Sequence, residues 1–221
     1  WAHIHRNAGA GFADAVTILA TPLYSTTTLV SFLPTIGWGG TAVLMKKFDA
    51  RRYLELAQQY RATHTMLVPV QYNRIMAVAD FDAFDLSSFR FKSCTSAPFS
   101  AALKADVLAR WPGLLIEYYG MTEGGGTTLL NATAHPTKLH SVGQPVEGHD
   151  IRLIDDDGNE VTEPHVPGEV FIRSPSVFTT YHKAQEKYLE DRRGDMQTVG
   201  DIAYFDDEGF YYICDRKKDM I

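Results

Sequence analysis

Short apolar runs of strand length alternate with helix-patterned stretches over residues 1–135, and this alternation constrains the fold more than any other feature. Thr41-Ala-Val-Leu-Met45 follows Gly39-Gly40 and reads as a buried strand. Asp49 stands where its carboxylate can accept from the free amides of a following helix. Behind it Tyr53, Leu56, Ala57 and Tyr60 recur at helical spacing. Thr65-Met-Leu-Val68 reads as a second strand closed by Pro69, Tyr72–Val78 as a helix, and Phe91-Lys-Ser-Cys94 as a third strand. Ser100 caps a helix carrying Leu103, Val107, Leu108 and Trp111 on one side, and Leu114 to Tyr119 makes a fourth strand. A helix between successive strands is a crossover, so this half is expected to be an α/β parallel sheet with crossover helices.

The pattern changes after about Pro136. Asp150-Ile-Arg-Leu-Ile154 alternates apolar and polar residues, and Asp156-Asp157-Gly158-Asn159 supplies a hairpin turn. Glu169-Val-Phe-Ile172, Ile202–Phe205 and Phe210–Ile213 continue the short strands, with Asp206-Asp207-Glu208-Gly209 between the last two. Helical residues are expected near Ala184–Leu189. The second part therefore reads as a smaller antiparallel β-rich subdomain, residues 136–221, after an α/β subdomain, residues 1–135. With 45% hydrophobic residues among 221, the chain can close a substantial core.

Charge and spacing exclude several function classes. The net charge is −6, which argues against a broad electrostatic grip on nucleic acid or an anionic membrane. Cys94 and Cys214 make no ligand-spaced pair, so a reducing, cytoplasmic setting fits better than a disulfide scaffold. No apolar run approaches the roughly 20 residues of a membrane span. The phosphate-binding glycine motifs, the GxSxG elbow and HExxH are missing from the sequence. Gly124-Gly125-Gly126 reads as a turn, and Asp155-Asp156-Asp157-Gly158 as a hairpin rather than a calcium loop, because Leu153 would occupy the first ligand position.

Tyr118-Tyr119-Gly120-Met121-Thr122-Glu123 is the informative stretch. It follows a strand, which places Thr122 and Glu123 at the carboxyl edge of a sheet, where open α/β folds bind ligands. A hydroxyl followed by a carboxylate can hold a phosphate oxygen and a Mg²⁺ ion, and an aromatic ring beside a glycine can stack on a base. A plain turn with one buried tyrosine satisfies the same residues.

Tyr119-Gly-Met-Thr-Glu123 resembles the YGxTE motif of the adenylate-forming superfamily: acyl-CoA synthetases, aryl-CoA ligases, luciferases and adenylation domains. Ser141-Val-Gly-Gln-Pro-Val146 with Gly148, Arg152 and Asp155 resembles that family's SVGxPxxGxxxRxxD stretch. Pro167-Gly168-Glu169 through Tyr181 resembles GExxxRGPxxxxGY, and Val199-Gly200-Asp201 with Asp206–Tyr212 resembles TGDxGxxDxxGxxY. Asp215-Arg216-Lys217-Lys218-Asp219-Met220-Ile221 is similar to [GD]RxKDxI, while Pro22-Leu-Tyr24 and Ser96-Ala97-Pro98 fall where the family has PLxH and GAAPL.

The resemblance implies an acyl-CoA synthetase that uses ATP, Mg²⁺ and coenzyme A on a small carboxylic acid, through acyl-AMP. It implies that Thr122 contacts phosphate and that Glu123 holds the metal. Tyr119 would stack on adenine with Gly120, Met121 and Ile213 nearby, and Ser96, Ala97 and Pro98 would lie along the base. Asp201 would accept from the ribose hydroxyls, Arg216 would reach ribose or phosphate, and Lys218 would be the hinge. Tyr24, Ser25 and Tyr118 would line the acyl pocket. Ser25 stands where acyl-CoA synthetases usually carry His and amino-acid-activating relatives place Asp nearby, which implies that the substrate is not an amino acid. Tyr118 replaces a frequent Gly, which implies a short, medium or compact acid rather than a long fatty acid. Ile4-His5-Arg6-Asn7 resembles the segment after the family's phosphate loop. The chain is accordingly expected to be a central piece, inactive alone, between that loop and the hinge to a C-terminal domain. An adenylation domain loading a carrier protein, or an inactive nucleotide-binding relative, are the alternatives.

Overall fold

Five strands with helices between them build the first part of the chain, and such crossovers let neighbouring strands run parallel. The computed structural model describes residues 11–121, 124–175, 177–178, 180, 182–183, 186, 189 and 192–216. The elements are β1 (Val16–Leu19), α1 (Thr26–Gly37), β2 (Thr41–Leu44), α2 (Ala50–Gln59), β3 (His64–Leu67), α3 (Pro69–Met76), β4 (Phe91–Cys94), α4 (Ala101–Arg110) and β5 (Leu114–Met121). The strands lie in the order β2-β1-β3-β4-β5, and each neighbouring pair is parallel.

The helix caps read from the sequence are present. Asp49 accepts from the Arg52 amide at 2.8 Å and Ser100 from the Leu103 amide at 3.3 Å. Two expectations shift. α3 begins at Pro69, which starts a helix without needing an amide hydrogen there, rather than at Tyr72. On α4 the buried side chains are Lys104 and Val107, while Leu103 and Leu108 are half-buried.

Contacts divide the chain into two compact units: the described residues up to Glu117 with Asn131–Leu139, and Tyr118–Leu130 with the described residues from His140 onward. In the first unit Trp111 is the centre of an aromatic core, meeting Tyr53, Tyr72, Phe81 and Phe89 at ring-centre distances of 5.1–6.0 Å. Lys92 is fully buried beside it and donates to the carbonyls of Trp111, Pro112 and Gly113 at 3.0, 2.5 and 2.7 Å. Burial pushes its pKa down to about 7, while the carbonyls leaving α4 act the other way by favouring the ammonium.

The second unit is antiparallel. It contains β6 (Gly125–Asn131, except its last residue), β7 (Gln144–Pro145), β8 (Asp150–Ile154), β9 (Glu160–Val161), β10 (Gly168–Arg173), β11 (Arg192–Arg193), β12 (Met196–Phe205) and β13 (Tyr211–Arg216). One sheet runs β11-β12-β10-β8-β9 with β13 also on β12. Its core is Leu153, Val170, Ile172 and Ala203. Gly124 is a turn residue, its amide donating to the Met121 carbonyl at 3.2 Å, and Gly125-Gly126 begin β6. The helix expected near Ala184–Leu189 falls largely outside the described residues.

Turn chemistry fixes both hairpins. Asp155 accepts from the Asn159 amide at 2.7 Å, and Asp206 accepts from the amides of Glu208 and Phe210, each at 3.0 Å, and from the Tyr212 hydroxyl at 2.9 Å. Gly143 has φ +92°, and a Cβ there would sit 2.0 Å from the Leu129 carbonyl oxygen, so no other residue fits this crossing of backbones. No helix among the described residues is long and apolar enough to cross a membrane.

Candidate nucleotide site

The candidate residues of the first unit gather where β4 ends and α1 begins. Leaving β4, the chain turns at Ser96, whose φ of +79° is left-handed and unfavourable for a residue with a Cβ. The Ser96 hydroxyl lies 2.9 Å from the Thr27 hydroxyl, in the first turn of α1. That contact brings the Ser96-Ala97-Pro98 loop to within two residues of Ser25, the residue that precedes α1. Ser96, Ala97 and Pro98 are exposed, so the loop presents its surface to solvent. Ser25 makes no side-chain cap to the helix, and Tyr24 beside it is 89% exposed.

The candidate residues of the second unit lie on β5, β12 and β13. Tyr119, near the end of β5, donates its hydroxyl to a carboxylate oxygen of Asp201 on β12 at 2.7 Å. Asp201 is largely buried, and its Cα partner on the neighbouring strand is Arg216. Three residues assigned to the nucleotide from motif position are thereby brought together. Tyr118 is half-buried, and burial pushes its phenol pKa up. Gly120 is exposed. Met121 and Ile213 are half-buried and pack against the core of Leu153, Val170, Ile172 and Ala203.

Thr122, Glu123 and Lys218 lie outside the described residues, and Arg216 is described through its backbone. Among the described residues no group of three His, Cys, Asp or Glu side chains is arranged to hold a metal ion.

Residues 1–182 match the family of AMP-binding enzymes. The chain belongs to that family. A feruloyl-CoA synthase from Amycolatopsis is 35% identical over 212 residues, covering 95% of this chain and 43% of that protein. A long-chain-fatty-acid–CoA ligase of Bacillus subtilis is 30% identical over 203 residues, covering 90% of this chain and 35% of that protein. The chain thus spans less than half the length of these AMP-binding relatives. Among solved structures, the amide bond synthetase McbA of Marinactinospora thermotolerans superposes with a TM-score of 0.90 at 26% identity, over 100% of this chain and 46% of that one. The α/β sheet followed by an antiparallel sheet is therefore the fold of adenylate-forming enzymes.

Family membership gives the donor set a chemical test. Asp201 offers an acceptor for a vicinal diol, and Tyr119 a flat aromatic face. Both fit a nucleoside. Lys104 and Glu117 escape motif reading altogether. Their single sequence signal is that Lys104, Val107 and Trp111 share helical i, i+3, i+7 spacing, which puts a lysine on the inward side of α4.

Proposed function

We propose that the protein carrying this chain activates a carboxylic acid with ATP and passes the acyl group to coenzyme A. The hydrogen bond between Tyr119 and Asp201 carries the reading. Base and ribose of a nucleoside are joined by a single bond, so side chains that serve them have to be neighbours. Tyr119 stacks on the adenine, Asp201 accepts from the ribose hydroxyls, and Ser96, Ala97 and Pro98 line the base. Thr122 and Arg216 hold phosphate oxygens, and Lys218 is the hinge. Mg²⁺, held by Glu123, supplies charge neutralisation at the phosphates when bound.

A carboxylate oxygen of the acid attacks the α-phosphorus of ATP, forming the acyl–phosphate bond as the bond to the departing pyrophosphate oxygen breaks. The sulfur of coenzyme A then attacks the acyl carbon, AMP leaves through its phosphate oxygen, and the thiol proton passes to solvent. Positioning and charge neutralisation are what such steps at phosphorus require of a protein.

The acid is a compact one. A half-buried Tyr118 ring takes up space that an extended acyl chain would need. The likeness to an amide bond synthetase favours a second reading, in which an amine replaces the thiol after the same first step. The test is a panel of carboxylic acids of increasing length, offered to the intact protein with ATP and either coenzyme A or an amine while AMP is followed. Turnover is expected with short or aromatic acids; better turnover of palmitate would overturn the compact-acid assignment.

A further inference from the structure

Lys104 on α4 and Glu117 on β5 form an ion pair inside the first unit, with side chains 1% and 6% exposed. Lys104 also donates to the Leu139 carbonyl at 2.8 Å, and its ammonium lies 5.8 Å from the centre of the Phe99 ring. Cys94, the last residue of β4, is the Cα partner of Glu117, so the pair sits at the sheet's carboxyl edge. Burial pushes the Glu117 carboxyl up, and the Lys104 charge opposes that shift.

Stability does not account for this arrangement. Taking two charges out of water is costly, and apolar side chains of similar volume commonly hold such a place as well or better. A buried pair does differ from an apolar one in directionality, because it is satisfied in one arrangement of its partners. Here the partners are four segments. Lys104 belongs to α4, Glu117 to β5, and Leu139 to the return of the chain. Phe99 immediately follows Ser96-Ala97-Pro98.

We propose that Lys104 and Glu117 are positioning residues for nucleotide binding, which lock the Ser96–Pro98 loop to α4 within the first unit so that the loop is presented in a fixed place. The inference rests on the proposed nucleotide role of Ser96–Pro98.

The experiment compares wild-type protein with K104M/E117M, which replaces the pair by apolar side chains, and with E117Q. Each is unfolded in urea and titrated calorimetrically with AMP. The double variant is expected to keep the wild-type urea midpoint while binding AMP roughly tenfold more weakly, and E117Q is expected to lose both. Equal AMP affinity in wild type and double variant would overturn the proposal. So would failure of the double variant to fold, since the pair would then serve stability. Absence of AMP binding by wild type would overturn the nucleotide reading itself, a separate result.

Discussion

Tyr119 and Asp201, 82 positions apart in sequence, are joined by a 2.7 Å hydrogen bond from the phenol to the carboxylate. Hydrogen bonds to charged acceptors are short and stronger than neutral ones, and this one fixes a largely buried carboxylate. Removing the phenol hydroxyl keeps the ring. Y119F is therefore expected to lose about 1–2 kcal/mol of stability and to bind AMP roughly 5- to 10-fold more weakly. Urea unfolding and AMP titration read the two effects, and an unchanged AMP affinity would show that the hydroxyl does not prepare Asp201 for a ligand.

Ser96 adopts its left-handed φ of +79° next to Thr27. Glycine relieves the strain but forfeits the hydroxyl contact, whereas alanine forfeits the contact and keeps the strain. S96G should accordingly be near wild type in stability, and S96A should fall below S96G by about 1 kcal/mol. Urea midpoints of the three proteins check the order, and S96A at or above S96G would contradict it.

His64 is buried between Phe12 and Phe91, at ring-centre distances of 4.6 and 5.8 Å, with Nδ1 2.8 Å from the Thr63 hydroxyl. Burial, aided by the Arg90 charge, pushes its pKa from 6.5 down to about 4. Between those values the unfolded chain binds more protons than the folded one, so stability rises with pH. The contribution is fully present above pH 6.5 and is lost as pH falls towards 4. Solvent screening leaves roughly 2 kcal/mol of it. H64F should lose less stability than wild type between pH 7.5 and 4.5, as read by urea midpoints at the two values. Equal losses would contradict the assignment.

The parts of the fold legible in sequence are those with local causes. Asp49 and Ser100 announce their helices as caps, and Asp155 and Asp206 announce their turns. α1 has no such signal. Its Thr26-Thr27-Thr28 run and internal Pro34 disfavour a helix locally, and tertiary bonds hold it: Thr28 donates to the Pro22 carbonyl at 2.7 Å, and Thr35 meets Thr17 at 2.6 Å. The motifs pick out Tyr119 and Asp201 separately; that they touch depends on how β5 and β12 fold. Spacing alone places Lys104 on the inward side of α4, but its partners are not legible there because they come from elsewhere in the chain, namely Glu117 and Leu139.

The route of oxygen tests the proposed chemistry most directly. The intact protein is supplied with ATP, Mg²⁺, coenzyme A and a compact acid whose two carboxylate oxygens are ¹⁸O, and the products are weighed by mass spectrometry. Acyl-AMP chemistry joins one acid oxygen to the α-phosphorus and leaves it there when sulfur takes the acyl group. AMP carrying one ¹⁸O is the result the account predicts. Acyl-CoA accompanied by ADP and labelled phosphate, or the absence of labelled AMP with every acid tried, would contradict it.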